Sequence, residues 1–158
     1  MYQNILVAID GSPTSDLALH EALRIAKDGS HVRAITVIVD PLAGYGTPDF
    51  SYDHESVHAA CIKHGNEVLR KAENDAKHLS SITLETQLID LAPSAMPDVA
   101  PAILQASKDY HADLIVIGRH GKSGVKRFFL GSVADHVIRH SLIPVLIVRG
   151  LTHDHKSS

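Results

Sequence analysis

At 158 residues the chain suits one domain of ordinary size, able to bury about 70% of the surface its unfolded form exposes, and leaves too little for a second. Apolar residues make up 44% and charged residues 21%, which excludes a disordered chain or a disulfide scaffold, and the single cysteine, Cys61, cannot close an intrachain bridge. A formal charge of −3 argues against a general nucleic-acid binder, and the lack of any apolar run of ~18 residues or of a signal-peptide core points to the cytoplasm rather than to membrane insertion.

The first predicted element is ILVAI (5–9), a short apolar strand that runs straight into the turn DGSP. Ser12 is placed to cap the helix that follows, with Pro13 in its first position, and the helix is expected to reach about Lys27 with Ala18, Ala22, Ile25 and Ala26 inward. HVRAITVIV (31–39) reads as the second strand, and the Gly- and Pro-containing stretch after it, from Pro41 to Asp53, is expected to be irregular. A long helix is predicted over 54–78, with Val57, Cys61, Val68 and Ala72 along one line. ITLETQLI (82–89) is the third strand, and Asp98 is expected to cap a helix running to about Tyr110, with Pro101 in its first turn. DLIVIG (113–118) is apolar on both faces, as a central strand of a parallel sheet should be. A short helix over 132–140 and a last strand PVLIV (144–148) follow, and the polar tail from Leu151 to Ser158 is expected to fray.

Strands alternating with helices imply right-handed crossovers and a doubly wound α/β sheet. Ligands of such sheets sit beyond the carboxyl ends of the strands, where strand order reverses. DGS after the first strand and GRHG after the fourth both lie at that rim.

Residues 118–137, GRHGKSGVKRFFLGSVADHV, contain four of the ten glycines and a basic cluster, between a buried strand and a helix. Gly118, Gly121 and Gly131 are expected to use backbone angles closed to other residues and to leave no Cβ between main-chain N–H groups and a ligand. Gly131 and Ser132 open a helix, so its unpaired N–H groups and positive dipole end face the turn, a geometry suited to phosphate. Ser132 adds a hydroxyl, and Lys122, Lys126 and Arg127 could screen charge. A lone glycine pair is often only a mobile turn; here a buried strand precedes it, a helix follows it, and Asp10 ends a strand at the same rim. Asp10 has an alternative role, shaping its own turn through its side chain.

The spacing Gly118-x2-Gly121-x9-Gly131-Ser132, with ILVAIDGSPTSDLAL, DLIVIGRHG and SVADHVIRHSLIPVLIVR around it, resembles the ATP-binding branch of the universal stress protein family. The resemblance covers nearly the whole chain and is weakest from Pro41 to Asp53 and beyond Leu151. It implies a universal stress protein domain over 1–150, with a Rossmann-like, adenine nucleotide alpha hydrolase-like fold of five parallel strands in the order 3-2-1-4-5. Carried over residue by residue, it implies that Asp10 reaches a ribose with Ala8 nearby and that Val37 bonds adenine through its main chain. Gly118 and Arg119 would flank the ribose, while Gly121, Gly131, Ser132 and Val133 would surround the phosphates of ATP, ADP or AMP. A carboxylate facing polyphosphate needs distance or a Mg²⁺ ion between them.

The implied function is an ATP-binding, nucleotide-dependent regulator or sensor in the stress response, acting on a regulatory protein partner. Two alternatives stand beside it: a slow ATP-hydrolysing enzyme, and an interaction module in which the nucleotide is structural. No P-loop of the form GxxxxGK[ST] is present, and no obvious base accompanies the turn. His54, His58 and Cys61 share one side of the long helix at metal-ligand spacing, with His64 further along, but Cys61 also belongs to the apolar line and packing is the plainer role. The last strand, Pro144 to Val148, is an apolar sheet edge that a symmetric homodimer would cover, as the family commonly does.

Overall fold

Five short apolar runs become five parallel strands, and the connections between them are four helices in a computed structural model that describes residues 2–39, 54–79, 81–91, 99–120 and 130–150. In chain order the elements are β1 (Asn4–Ala8), α1 (Pro13–Ile25), β2 (His31–Val39), α2 (His54–Ala76), β3 (Thr83–Leu91), α3 (Val99–Asp109), β4 (Leu114–Gly118), α4 (Ser132–His140) and β5 (Val145–Val148). The sheet order is β3-β2-β1-β4-β5, all parallel, which is the doubly wound order expected from the sequence. The segment from Pro41 to Asp53, the Asp98 cap, Gly121 with Lys122, Lys126 and Arg127, and the tail from 151 lie outside the described residues.

The period-2 alternation of β1 divides the core between two faces. Ile5 and Val7 point with Val32, Ala34, Leu114 and Val116 toward α1 and α2, which contribute Ala18, Leu19, Ala22, Leu23, Val68, Leu69 and Ala72. Leu6 points with Ile35, Ile115 and Ile117 toward α3 and α4, which contribute Ala100, Ile103, Ala106, Ala134 and Val137. Strand β4 is buried on both faces from Leu114 to Ile117, as its unbroken apolar run predicts. By area removed from water, each fully buried Ile, Leu or Val on these faces stabilises the fold by about 1.5–3 kcal/mol.

The expected α1 stripe is shifted by part of a turn. Leu19 and Leu23 join Ala18 and Ala22 in the core, whereas Ile25 and Ala26, at the helix end, are only half-buried. On α2 the line holds in its C-terminal half, where Val68 and Ala72 are buried, while Val57 and Cys61 are half-buried. Gly65 marks where α2 crosses the sheet. A Cβ there would lie 2.5 Å from Leu88 Cδ1 and 3.0 Å from Ile38 Cγ2, so a larger residue would lift the helix off β2 and β3.

Candidate functional site

Strand order reverses between β1 and β4, the place where an open parallel sheet leaves a crevice beyond its carboxyl ends. A cavity of about 440 Å³ lies there, within the usual size of small-molecule sites. Its walls come from the ends of β1, β2 and β4, the first turns of α1 and α4, and α3.

The β1 end is fixed by its own hydrogen bonds. Asp10 Oδ1 accepts from the Ser12 N–H at 2.9 Å, and the Asp10 N–H donates to Ser15 Oγ at 3.2 Å. Ser15 Oγ in turn donates to the Ser12 carbonyl at 2.9 Å, with Ser15 itself buried. Gly11 sits between them at φ +81°, a left-handed conformation that disfavours side chains. One carboxylate oxygen of Asp10 therefore shapes the turn, and the residue also lines the cavity.

Strand β2 outruns β1. The last β1–β2 pair is Ala8 with Ile35, followed by the Ile9 N–H to Ile35 carbonyl bond at 2.9 Å, yet β2 continues to Val39. Because main-chain groups alternate sides along a strand, those of Val37 face the same way as those of Ile35, beyond the end of the β1 ladder. Ile35, Val37, Val39, Val99, Ile103 and Ile117 give this part of the cavity apolar walls.

The opposite wall is main chain. Gly118 ends β4, the Arg119 N–H donates to the Val148 carbonyl at 2.8 Å, and the Gly131 N–H donates to the Arg119 carbonyl at 2.9 Å, so the two ends of the glycine-rich turn are clamped together. Gly131 caps α4 without a side-chain hydrogen bond, and the first helical bond of α4 is the Asp135 N–H to the Gly131 carbonyl. Among the described residues none accepts from the amides of Ser132, Val133 or Ala134, all of which line the cavity. Open donors at the positive end of a helix dipole constitute a seat for an anion.

The glycines act differently from the expectation. Of the described glycines only Gly11 and Gly29 have positive φ, and Gly131 is extended at φ −60°, ψ 149°. Close approach explains Gly118 and Gly131 instead. A Cβ at Gly118 would lie 3.1 Å from the Thr14 main chain, where α1 leans on the end of β4, and one at Gly131 would lie 3.0 Å from the Arg119 carbonyl oxygen.

Ala8, Asp10, Val37, Gly118, Arg119, Gly131, Ser132 and Val133 all line this one cavity, and Gly121 lies outside the described residues. Sequence reasoning did not single out Ile9, Ser15, Ile35, Val39, Val99, Ile103, Ile117, His120 or Ala134, which also line the cavity. Ser15 carried a signal, since a serine three positions after a serine cap can close hydrogen bonds back onto the turn. Of the α2 cluster, His58 Nε2 lies 3.0 Å from Asp90 Oδ2 and Cys61 is half-buried, while the His54 side chain lies outside the described residues. Among the described residues no three His, Cys, Asp or Glu side chains converge to hold a metal ion. No helix among them is long and apolar enough to cross a membrane.

Comparison with known proteins gives one consistent result. The family model described as "Universal stress protein family" matches residues 1–149. A universal stress protein of Methanocaldococcus jannaschii is 32% identical over 151 residues, covering 94% of this chain and 83% of that one. Among solved structures, the universal stress protein UspA of Lactobacillus plantarum superposes with a TM-score of 0.78 at 27% identity, covering 94% of this chain and 98% of that one. A universal stress protein in complex with cAMP superposes with a TM-score of 0.64 at 28% identity, covering 93% and 97% of the two chains.

Proposed function

The chain belongs to the universal stress protein family, and from that premise we propose that it binds ATP, or ADP or AMP, in the β1/β4 crevice and acts as a cytoplasmic, nucleotide-dependent regulator in the stress response. The observation that carries the reading is the coincidence, in one cavity, of an apolar wall beyond β2 and the open N-terminus of α4. A relative solved with cAMP supports the choice of an adenine nucleotide.

The roles follow from the chemistry of each wall. Adenine would lie against Val37, Val39, Val99 and Ile103, with the main chain of Val37 supplying hydrogen bonds that a strand end leaves over. Asp10, Ala8, Gly118 and Arg119 would surround the ribose, a carboxylate suiting its hydroxyls. The phosphates would sit on the amides of Ser132, Val133 and Ala134, with the Ser132 hydroxyl and Gly121 beside them. Asp10 is the only carboxylate lining the cavity among the described residues. That donor set suits Mg²⁺ only as an ion carried in with the phosphates, which supply most of its oxygens.

A regulator works only if nucleotide favours one conformation over another. The glycine-rich turn, joined at Arg119 and Gly131, is the element that nucleotide would bias, and a partner protein would read its surface. A homodimer through β5 fits the same reading: among the described residues β5 pairs with β4 alone, and Leu142, just before it, is 91% exposed.

The direct experiment is to purify the protein, denature it and identify released nucleotide by mass spectrometry, then measure binding to stripped protein by calorimetry. Adenine nucleotide in the supernatant and saturable heat with ATP are expected; neither, from folded protein, would sink the proposal. Sustained phosphate release under excess ATP would instead favour the hydrolase.

A further inference from the structure

Asp10 lies just past the sheet. The last pair of the β1–β4 ladder is Ala8 with Ile117, and the last bond from this segment to β2 leaves from the Ile9 N–H, so the ladders on both sides stop short of Asp10. A hydroxyl from α1 takes over. The Asp10 N–H donates to Ser15 Oγ at 3.2 Å, and Ser15 Oγ donates onward to the Ser12 carbonyl at 2.9 Å. An amide N–H can only donate and a carbonyl can only accept, so the hydroxyl has one arrangement that serves both. The loop is closed from the other side by the Ser12 N–H on Asp10 Oδ1 at 2.9 Å, and Ser12 and Ser15 are both buried. Ser15 stands in the first turn of α1, which is fitted closely to the sheet: a Cβ on Gly118 would meet the Thr14 main chain at 3.1 Å.

Given the adenine-nucleotide reading of the cavity, on which this rests, we infer that Ser15 is a positioning residue for sugar selection. It sets the Asp10 carboxylate at the angle from which that group distinguishes a ribose from a sugar without its 2′ and 3′ hydroxyls. A carboxylate accepts only, and hydrogen bonds to a charged acceptor are both strong and demanding in geometry. With its N–H on Ser15 and one carboxylate oxygen on the Ser12 N–H, Asp10 is constrained at the main chain and at the side chain before any ligand arrives, which lowers the ordering cost of binding. Gly11, at φ +81°, has no side chain with which to hold the turn, so the restraint comes from the helix, a more precise support than a loop. The two serines have separable roles. The Ser12 hydroxyl accepts from the Ser15 N–H and caps α1, whereas the Ser15 hydroxyl holds the turn that carries Asp10.

Calorimetry on nucleotide-stripped protein tests this by comparing ATP with 2′,3′-dideoxy-ATP, which keeps the base and the phosphates. The wild-type chain should prefer ATP by about tenfold or more, the scale of a hydrogen bond to a charged group. Ser15→Ala should cut that preference at least about threefold and leave affinity for the dideoxy nucleotide within about twofold, since only the carboxylate's contact is lost. Equal weakening of both nucleotides is the mark of a merely structural role and would overturn the inference. In an Asp10→Ala background no carboxylate remains to be placed, so adding Ser15→Ala should leave the ratio unchanged; a further fall there would also overturn it. No heat with ATP from folded wild-type protein would remove the nucleotide reading and this inference together. ATP binding without preference for the diol, or with a preference that survives Ser15→Ala, would overturn the inference and leave the reading standing. Alanine is a strong helix former, so α1 should persist, checked by circular dichroism. Without any variant, hydrogen exchange at the Asp10 amide should already be slow in the stripped protein, and exchange at the rate of an unstructured amide would overturn the inference.

Discussion

Helices α1 and α4 both begin at the carboxyl rim of the sheet beside the same cavity, yet their first turns are finished in different ways. In α1, Ser12 Oγ accepts from the Ser15 N–H at 3.2 Å, Pro13 removes another donor, and Asp16 in the first turn is held by Lys71 Nζ at 2.6 Å. In α4 the cap is a glycine without a side-chain bond, and three cavity-lining residues, Ser132, Val133 and Ala134, have amides with no acceptor among the described residues. One helix start is satisfied by its own sequence and serves stability. The other finds no acceptor among the described residues, which is why the phosphates are proposed to sit at α4.

The comparison breaks most severely at Gly131. Gly131→Val would drive a side chain against the Arg119 carbonyl, prising apart the clamped ends of the turn. Losing two charge-assisted hydrogen bonds costs roughly 3 kcal/mol, so ATP affinity by calorimetry should fall about a hundredfold. Overpacking should also lower the midpoint of urea unfolding, by about 1–3 kcal/mol in stability.

Ser12→Ala should do the reverse. Loss of the α1 cap should cost about 1 kcal/mol in a denaturant melt while leaving ATP affinity within error. Ser132→Ala, by contrast, removes a hydroxyl that nothing inside the described protein uses. Affinity should drop about fivefold, the worth of one hydrogen bond, with no change in melting temperature.

Lys71→Met tests the remaining support of α1 and should have the smallest effect, below about 1 kcal/mol, as for exposed ion pairs. The hydrogen bond to Asp16 raises the Lys71 pKa above the ordinary lysine range. Since the folded-state value is the higher one, the pair's contribution is whole below that range and is lost as pH rises through it. Stability of the wild-type chain and of Lys71→Met, followed by urea melts, should therefore converge at strongly alkaline pH.

How much of this could be read in the sequence varies with the kind of force involved. The alternation of strands and helices was legible, because apolar runs such as LIVIG and capped starts such as SPTS depend on local pattern, whereas the strand order came only with the family resemblance. The α4 start was legible for the same reason. Gly118 and Gly131 were recognised as special, but not through their backbone angles, since neither has positive φ; the constraint seen is the approach of Thr14 and the Arg119 carbonyl, contacts that local pattern does not show. The apolar wall beyond β2 was equally hidden. Val37 looks like any core residue until the β1 ladder is seen to stop at Ile35. The pairing of His58 with Asp90 likewise needed the fold, since it joins a helix to a neighbouring strand.

Nucleotide binding at this rim requires that the open end of α4 hold phosphate oxygens. Comparing ATP with adenosine by calorimetry on stripped protein isolates that contribution, because the two share base and sugar. Binding of ATP at least tenfold tighter than adenosine, with the gap closing in Gly131→Val, is the predicted result; equal affinities in the wild-type chain would contradict it.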